Sequence, residues 1–200
     1  MAILSRFDEM LRARPSKWAF WRNLIIYFCV FSLVGHWLEM PYCLFMWKAF
    51  GIYDPTSLVW TEPMYPFLVY GVAVIVCVII LVPIKDRVLR LTRRTWLAVV
   101  ICLVLNVLVS LVMELVMGLL LNEPTNGVYP LWNNSVLPLN VLGQAWLVND
   151  VILGALATLY TWIIFPLCEK GMRHVDSRIA TIACVVIVVL FIVLCVVTFS

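Results

Sequence analysis

Residues 96–121 read WLAVVICLVLNVLVSLVMELVMGLLL, an apolar run broken by Asn106, Ser110 and Glu114. A helix rises about 1.5 Å per residue, so a run of this length crosses a hydrocarbon core of about 30 Å. Lipid offers no partner to backbone N–H and C=O groups, so the segment must satisfy them internally, as a helix. Arg93 and Arg94 stand just before the run, where a membrane surface would lie. Outward from this stretch the same reading repeats. Leu24–Trp47, Pro66–Ile84, Leu139–Leu167 and Ile179–Phe199 are further apolar runs of spanning length. Composition agrees: 64% of residues are hydrophobic and 12% charged, against roughly 25% charged in soluble domains. The mean hydropathy is +1.05. The sequence predicts an all-α, polytopic integral membrane bundle of about five spans, forming one transmembrane domain over residues 22–200.

Basic residues set the expected orientation. Arg6, Arg12, Arg14, Lys17 and Arg22 precede the first span. Lys85, Arg87, Arg90, Arg93 and Arg94 lie between the second and third, and Lys170, Arg173 and Arg178 between the fourth and fifth. Of the 14 basic residues only Lys48 falls on the other side. Loops rich in Lys and Arg stay inside, so the N-terminus is expected in the cytoplasm and the C-terminus outside a multi-pass cell-membrane protein. Trp18, Trp21, Trp47, Trp60, Trp96 and Trp132 lie near the expected interfaces, as aromatic belts do. Residues 1–21 form a separate cytoplasmic segment. Ile3, Leu4, Phe7, Met10 and Leu11 recur at helical spacing opposite Arg6, Asp8, Glu9 and Arg12. That pattern reads as an amphipathic helix on the membrane surface, stopped by Pro15. No short apolar core with a small-residue cleavage site precedes the first span, so no signal peptide is expected.

The first two spans resemble the next two. Glu39 and Glu114 occupy similar depths in the first and third, and Pro66-Phe67-Leu68-Val69-Tyr70-Gly71 matches Pro138-Leu139-Asn140-Val141-Leu142-Gly143 as P-x-x-V-x-G. Both hairpins enter from the same side, so the expected internal repeat is parallel. The fifth span has no counterpart.

An intramembrane carboxylate costs about 2.5–3.5 kcal/mol on insertion scales, so it faces protein or a wet cavity. Glu39, Glu114 and Asp150 each lie on a stripe of polar and small residues at helical spacing. The first stripe holds Ser32, Gly35, His36, Glu39, Tyr42 and Cys43. The others hold Asn106, Ser110, Glu114 and Gly118, and Asn140, Gly143, Asp150, Gly154, Ala157 and Thr161. No cation within the spans matches the acids, and His36 lies one turn before Glu39 as its local partner. Two readings stay open. In one, these groups only tie helices together by hydrogen bonds. In the other, Glu39, His36, Glu114, Asp150, Asn106, Asn140, Tyr42 and Tyr70 line a polar chamber in the outer half of the bilayer that takes a cation or polar substrate. The outer loops, 48–65 and 122–138, are aromatic and rich in proline, and are expected to fold back over it.

Other chemistry finds no support. No P-loop, G-x-G-x-x-G, H-E-x-x-H or G-x-S-x-G pattern occurs. Seven cysteines lie mostly inside apolar runs without a C-x-x-C spacing, so neither a disulfide framework nor a metal site is expected. No cofactor and no nucleic acid is called for. The cytoplasmic loops are too short to form a domain, so any ATP hydrolysis must come from another subunit.

The residues from Phe28 to Pro166 resemble the CmpB-type ABC-transporter permease family of bacteria. Phe31-Ser32-Leu33-Val34-Gly35-His36-Trp37-Leu38-Glu39 resembles its opening aromatic-Ser-x-x-Gly-Trp-x-x-Glu stretch, with Tyr42 and Cys43 following. Pro63, Pro66, Tyr70 and Gly71 are similar to its G-P-x-x-P-x-Y-G segment, and Glu114-Leu115-Val116-Met117-Gly118 to its L-E-Y-x-x-G turn. Trp132, Ser135, Pro138, Asn140 and Gly143 fall on its W-D-Y-S-x-x-P-x-N-x-x-G run, and Pro166 on the proline closing the next helix. The chain departs at His36, where the family has tryptophan, and in a longer spacing before Tyr70. It departs again at Asn133 and Asn134 (family Asp and Tyr), and at Leu142 and Gln144 (family Asn and Arg). The family's charged outer pair is therefore absent, and the coupling loop of ordinary ABC importers is missing. The resemblance implies a permease-like component in the lipid bilayer that works with a separate ATPase or other membrane subunits, and is compatible with an oligomer. The residues alone leave two other readings: a structural or regulatory membrane subunit, and an intramembrane enzyme using paired acids on lipid or envelope substrates.

Overall fold

The computed structural model describes residues 17–52, 58–125, 127, 129 and 132–200. Most of the expected amphipathic N-terminal segment lies outside these residues. Among the described residues, five helices are long and apolar enough to cross a membrane: α1 (Lys17–Phe50), α3 (Leu68–Thr92), α4 (Thr95–Leu121), α5 (Leu147–His174) and α6 (Ser177–Phe199). A single-turn helix, α2 (Leu58–Thr61), follows α1. Two short strands, β1 (Asn140–Val141) and β2 (Ala145–Trp146), pair antiparallel with Asn140 opposite Trp146. The chain is thus an α-helical, multi-pass membrane protein, as its composition requires. It divides into two compact units, residues 1–78 with 166–200, and residues 79–165.

In the first unit, α1 packs against the first turns of α3 and against α6. Small residues permit the close α1–α3 approach: Tyr70 lies against Gly35, and Ser32 and Phe28 lie against Gly71. At the basic end of this unit the polar groups pair. Arg22 donates to the Ser177 carbonyl (3.1 Å) and to the Ser177 and Thr181 hydroxyls, while Asn23 and Tyr27 donate to Glu169 Oε1, at 3.3 and 2.8 Å. Asp176 caps α6 by accepting from the Arg178 and Ile179 N–H groups. Only a narrow stripe of α6, Ala180, Cys184 and Phe191, is buried. Most of its Val, Ile and Leu side chains are exposed, which in this chain means a surface for lipid.

In the second unit, α4 packs along α5. Gly154 of α5 sits on the backbone of Val107, where an added Cβ would lie 2.7 Å from the Val107 nitrogen. Asn106 donates to the Thr158 hydroxyl across the same contact (2.9 Å).

Helix ends differ from the sequence reading wherever hydropathy and backbone chemistry disagree. The fourth span was expected from Leu139, but α5 begins at Leu147. Leu139, Leu142 and Gly143 adopt φ of +63°, +56° and +69°, and Asn140 holds the turn by donating to the Leu137 carbonyl (2.7 Å) and accepting from Gly143 N–H (3.0 Å). Residues 139–146 are therefore a tight β-hairpin. The second and fourth spans run past their apolar limits, Ile84 and Leu167, to Thr92 and His174. Helix continues there as amphipathic turns, and α3 stops where Arg93 turns left-handed (φ +53°). α1 ends at Gly51 (φ +70°), whose N–H bonds the Trp47 carbonyl. Within α3 and α5 the winding widens to π over Cys77–Leu81 and Tyr160–Ile164.

Candidate functional site

The polar residues singled out by sequence are described unit by unit. In the second unit, Glu114 on α4 faces the N-terminus of α5. Its Oε1 accepts from Asn149 Nδ2 (2.9 Å) and its Oε2 from the Trp146 N–H (3.3 Å). A helix N-terminus presents unpaired N–H groups and a positive dipole end, which suits a carboxylate. Trp146 is fixed in turn, because its indole donates to the Pro138 carbonyl (2.8 Å) and the residue is almost wholly buried.

Asp150, in the first turn of α5, is wholly buried. Neither of its carboxyl oxygens meets an N–H or O–H donor among the described residues. Its carboxyl lies within hydrogen-bonding reach of the Glu114 carboxyl. Two carboxyl groups in contact form a hydrogen bond only when one carries a proton, and otherwise require a cation between them. The arrangement can therefore hold a proton or a small cation. Asn106, two stripe repeats before Glu114, is spent on Thr158, and Asn140 on its own turn.

The loop above this pair is built around Gln144. Its side chain exchanges two hydrogen bonds with Asn122, one to the Asn122 carbonyl and one from Asn122 Nδ2, both 2.9 Å. Its carbonyl accepts from the Trp132 indole (2.7 Å) and from Asn134 Nδ2 (2.8 Å). Gly118 makes room for it, since a Cβ there would lie 2.6 Å from Gln144 Oε1. Sequence reading noted Gln144 only as a departure from a family pattern, and missed Asn122, Asn149 and Trp146. Asn149 carried a usable signal, an amide directly before an intramembrane acid. Asn122 and Gln144 carried none, because their pairing is set by the fold of the loop.

In the first unit, Glu39 of α1 lies beside the Tyr70 hydroxyl of α3, within reach of a hydrogen bond. Its Oε2 is buried without a partner among the described residues. Tyr42 and Cys43 lie close to the same pair. His36 is wholly buried and stacks on Phe67 (centroids 5.0 Å apart, planes 24°). Its ring nitrogens make no hydrogen bond to Glu39; the backbone of Glu62 is the polar group beside it. The structure thus brings Glu39 together with Tyr70, and Glu114 together with Asp150. Among the described residues no three His, Cys, Asp or Glu side chains gather to hold a metal ion.

No curated protein and no solved structure matches the chain. One family model does, over residues 26–199, a range that takes in both carboxylate groups, four of the spanning helices whole and most of α1. With nearly its whole length matched, the chain belongs to the family described as "Putative ABC-transporter type IV".

Proposed function

We propose that the chain is the membrane-spanning, permease-like component of a transporter, acting with a separate ATPase or other membrane subunits. In this reading it lies in the cell membrane with its N-terminus in the cytoplasm and its C-terminus outside, as the distribution of basic residues supports. The two hairpins are a parallel repeat, each carrying its polar site in the outer half of the bilayer: Glu39 with Tyr70, Tyr42 and His36, and Glu114 with Asp150, Asn106 and Asn140. The sites take a cation or a polar substrate.

One observation carries the reading. Asp150 is buried without a donor among the described residues, against a second carboxyl group. A group used only to join helices would be matched by a partner, as the Asn106 amide is by the Thr158 hydroxyl that accepts from it. An intramembrane acid left for a mobile partner marks a pathway for ions or protons. The test is to reconstitute the chain with the proteins that co-purify with it and follow cation flux into proteoliposomes. Asp150→Asn should abolish flux while leaving the chain folded and assembled. Unchanged flux would remove the proposal.

The closeness of Glu39 to Tyr70 favours a second reading for the first unit, a purely structural or regulatory part. Glu39→Gln separates the two. An amide can still accept from Tyr70, so a structural role survives it, whereas a cation or proton site does not.

A further inference from the structure

The α4–α5 seam of the second unit carries polar pairs at successive levels. Glu114 meets Asp150 at one level, and Asn106 bonds Thr158 at the next. Thr161 follows, roughly 16 Å along α5 from Asp150 at about 1.5 Å per residue. It is buried, and its hydroxyl donates to the Ala157 carbonyl (2.8 Å). Its own carbonyl is the exceptional group. Here α5 is π-wound, and the Phe165 N–H bonds the Tyr160 carbonyl. In that pattern the Thr161 carbonyl needs an N–H from residue 166, a proline, which has none. A carbonyl left without a donor is strongly unfavourable in lipid.

Lys85, in the same unit, meets that carbonyl. Its Nζ lies 3.2 Å from the Thr161 carbonyl oxygen, 3.4 Å from Asp86 Oδ1 and 5.9 Å from the centre of the Trp162 ring. A carbonyl, a carboxylate and the face of an indole are each ligands for a cation. Asp86 Oδ1 is buried and accepts no hydrogen bond among the described residues, so the charge of Lys85 is what answers it. A lysine near the end of a span ordinarily buries its stem and keeps its head in water. Arg87 and Arg90, next along α3, are exposed in that way. Lys85 does the reverse and is only 3% exposed.

We propose that Thr161, Asp86 and Trp162 form a primary-ammonium site at the basic end of the seam, and that Lys85 fills it as a tethered plug. The ammonium sits where a free cation would otherwise bind, so this end of the seam is closed to cations. The plug rests on the reading of the second unit as a cation path; the ammonium site does not.

Thermal unfolding of the full chain in lipid nanodiscs tests the site, with n-propylammonium as the probe, since it replaces the part of the side chain that Lys85→Ala removes. Lys85→Ala should unfold at a lower midpoint, and propylammonium should restore most of the loss saturably, as a ligand of the folded state does. Tetramethylammonium, which has no N–H, should not restore it. Neither the parent nor Lys85→Met, where a side chain occupies the space, should respond. Adding Asp86→Asn to Lys85→Ala should weaken the response about tenfold, the size expected for losing a charged partner. Adding Asp150→Asn instead should leave it intact. A response lost with Asp150→Asn would place the amine at the carboxylate pair and overturn the site, as would no response at all. The plug is read from potassium leak out of liposomes holding the chain alone. The parent should be tight, and Lys85→Ala should leak until propylammonium is added. Restored stability without leak would overturn the plug. If Lys85→Ala does not fold, amine labelling decides. Lys85 should resist a label that Lys48 and Lys170 take up, and Asp86→Asn should speed its labelling about tenfold. Labelling of Lys85 that is as fast as theirs, or unchanged by Asp86→Asn, would overturn the proposal.

Discussion

Asp150 shows how much of a site single residues reveal. An acid inside an apolar run is visible in sequence because lipid penalises it, whatever the fold. Its partner is not visible, since which carboxyl or donor it meets depends on how α4 and α5 cross. That crossing is fixed by Gly154, whose missing side chain lets α5 rest on the Val107 backbone. Gly154→Val would drive a branched side chain into main chain that cannot move aside. The expected loss is about 1–3 kcal/mol, read as a lower unfolding midpoint in detergent. Asn106 and Thr158 hydrogen-bond across the same crossing. A double-mutant cycle, Asn106→Ala with Thr158→Ala, should give a coupling of about 0.6 kcal/mol, the usual size for such bonds between membrane helices. His36 and Glu39 teach the opposite lesson. Helical spacing put them on one face, but the hydroxyl beside Glu39 is that of Tyr70 on the neighbouring helix.

Among the elements, the spanning helices were legible because length and hydropathy alone demand them. Their ends were not. Residues 139–146 are as apolar as a helix start, yet they form a hairpin because side-chain hydrogen bonds from Asn140 hold left-handed turns. Hydropathy does not see such bonds. Two leucines occupy the left-handed region in this hairpin, Leu139 and Leu142, and both are exposed, at 66% and 70%. A non-glycine residue there costs roughly 1–2 kcal/mol, and asparagine tolerates it better. Leu142→Asn should therefore stabilise the loop, seen as slower proteolysis between 132 and 146. Gln144→Ala should do the reverse, because it removes both side-chain hydrogen bonds to Asn122 and empties the space beside Gly118. The π-wound segments were likewise hidden, although the prolines that cause them stand in plain view.

For the whole molecule, the class was readable from composition and from the one-sided placement of basic residues, since both follow from the solvent rather than from packing. Family membership adds the transporter context. The orientation proposed here predicts that reporters fused after Arg94 and after Arg173 act as cytoplasmic, and one fused after Ser200 as external. A reporter after Ser200 that reads as cytoplasmic would reverse the account. The central claim is that the buried Glu114–Asp150 pair serves a mobile cation or proton rather than joining helices. It is met most directly by measuring thermal unfolding of the chain in nanodiscs as a function of cation concentration and pH. A ligand that binds only the folded state raises the midpoint with its concentration. The account predicts a midpoint that rises with one cation or with protons, and a dependence that disappears in both Glu114→Gln and Asp150→Asn. A midpoint indifferent to every cation and to pH, and equally indifferent in the two variants, would contradict it.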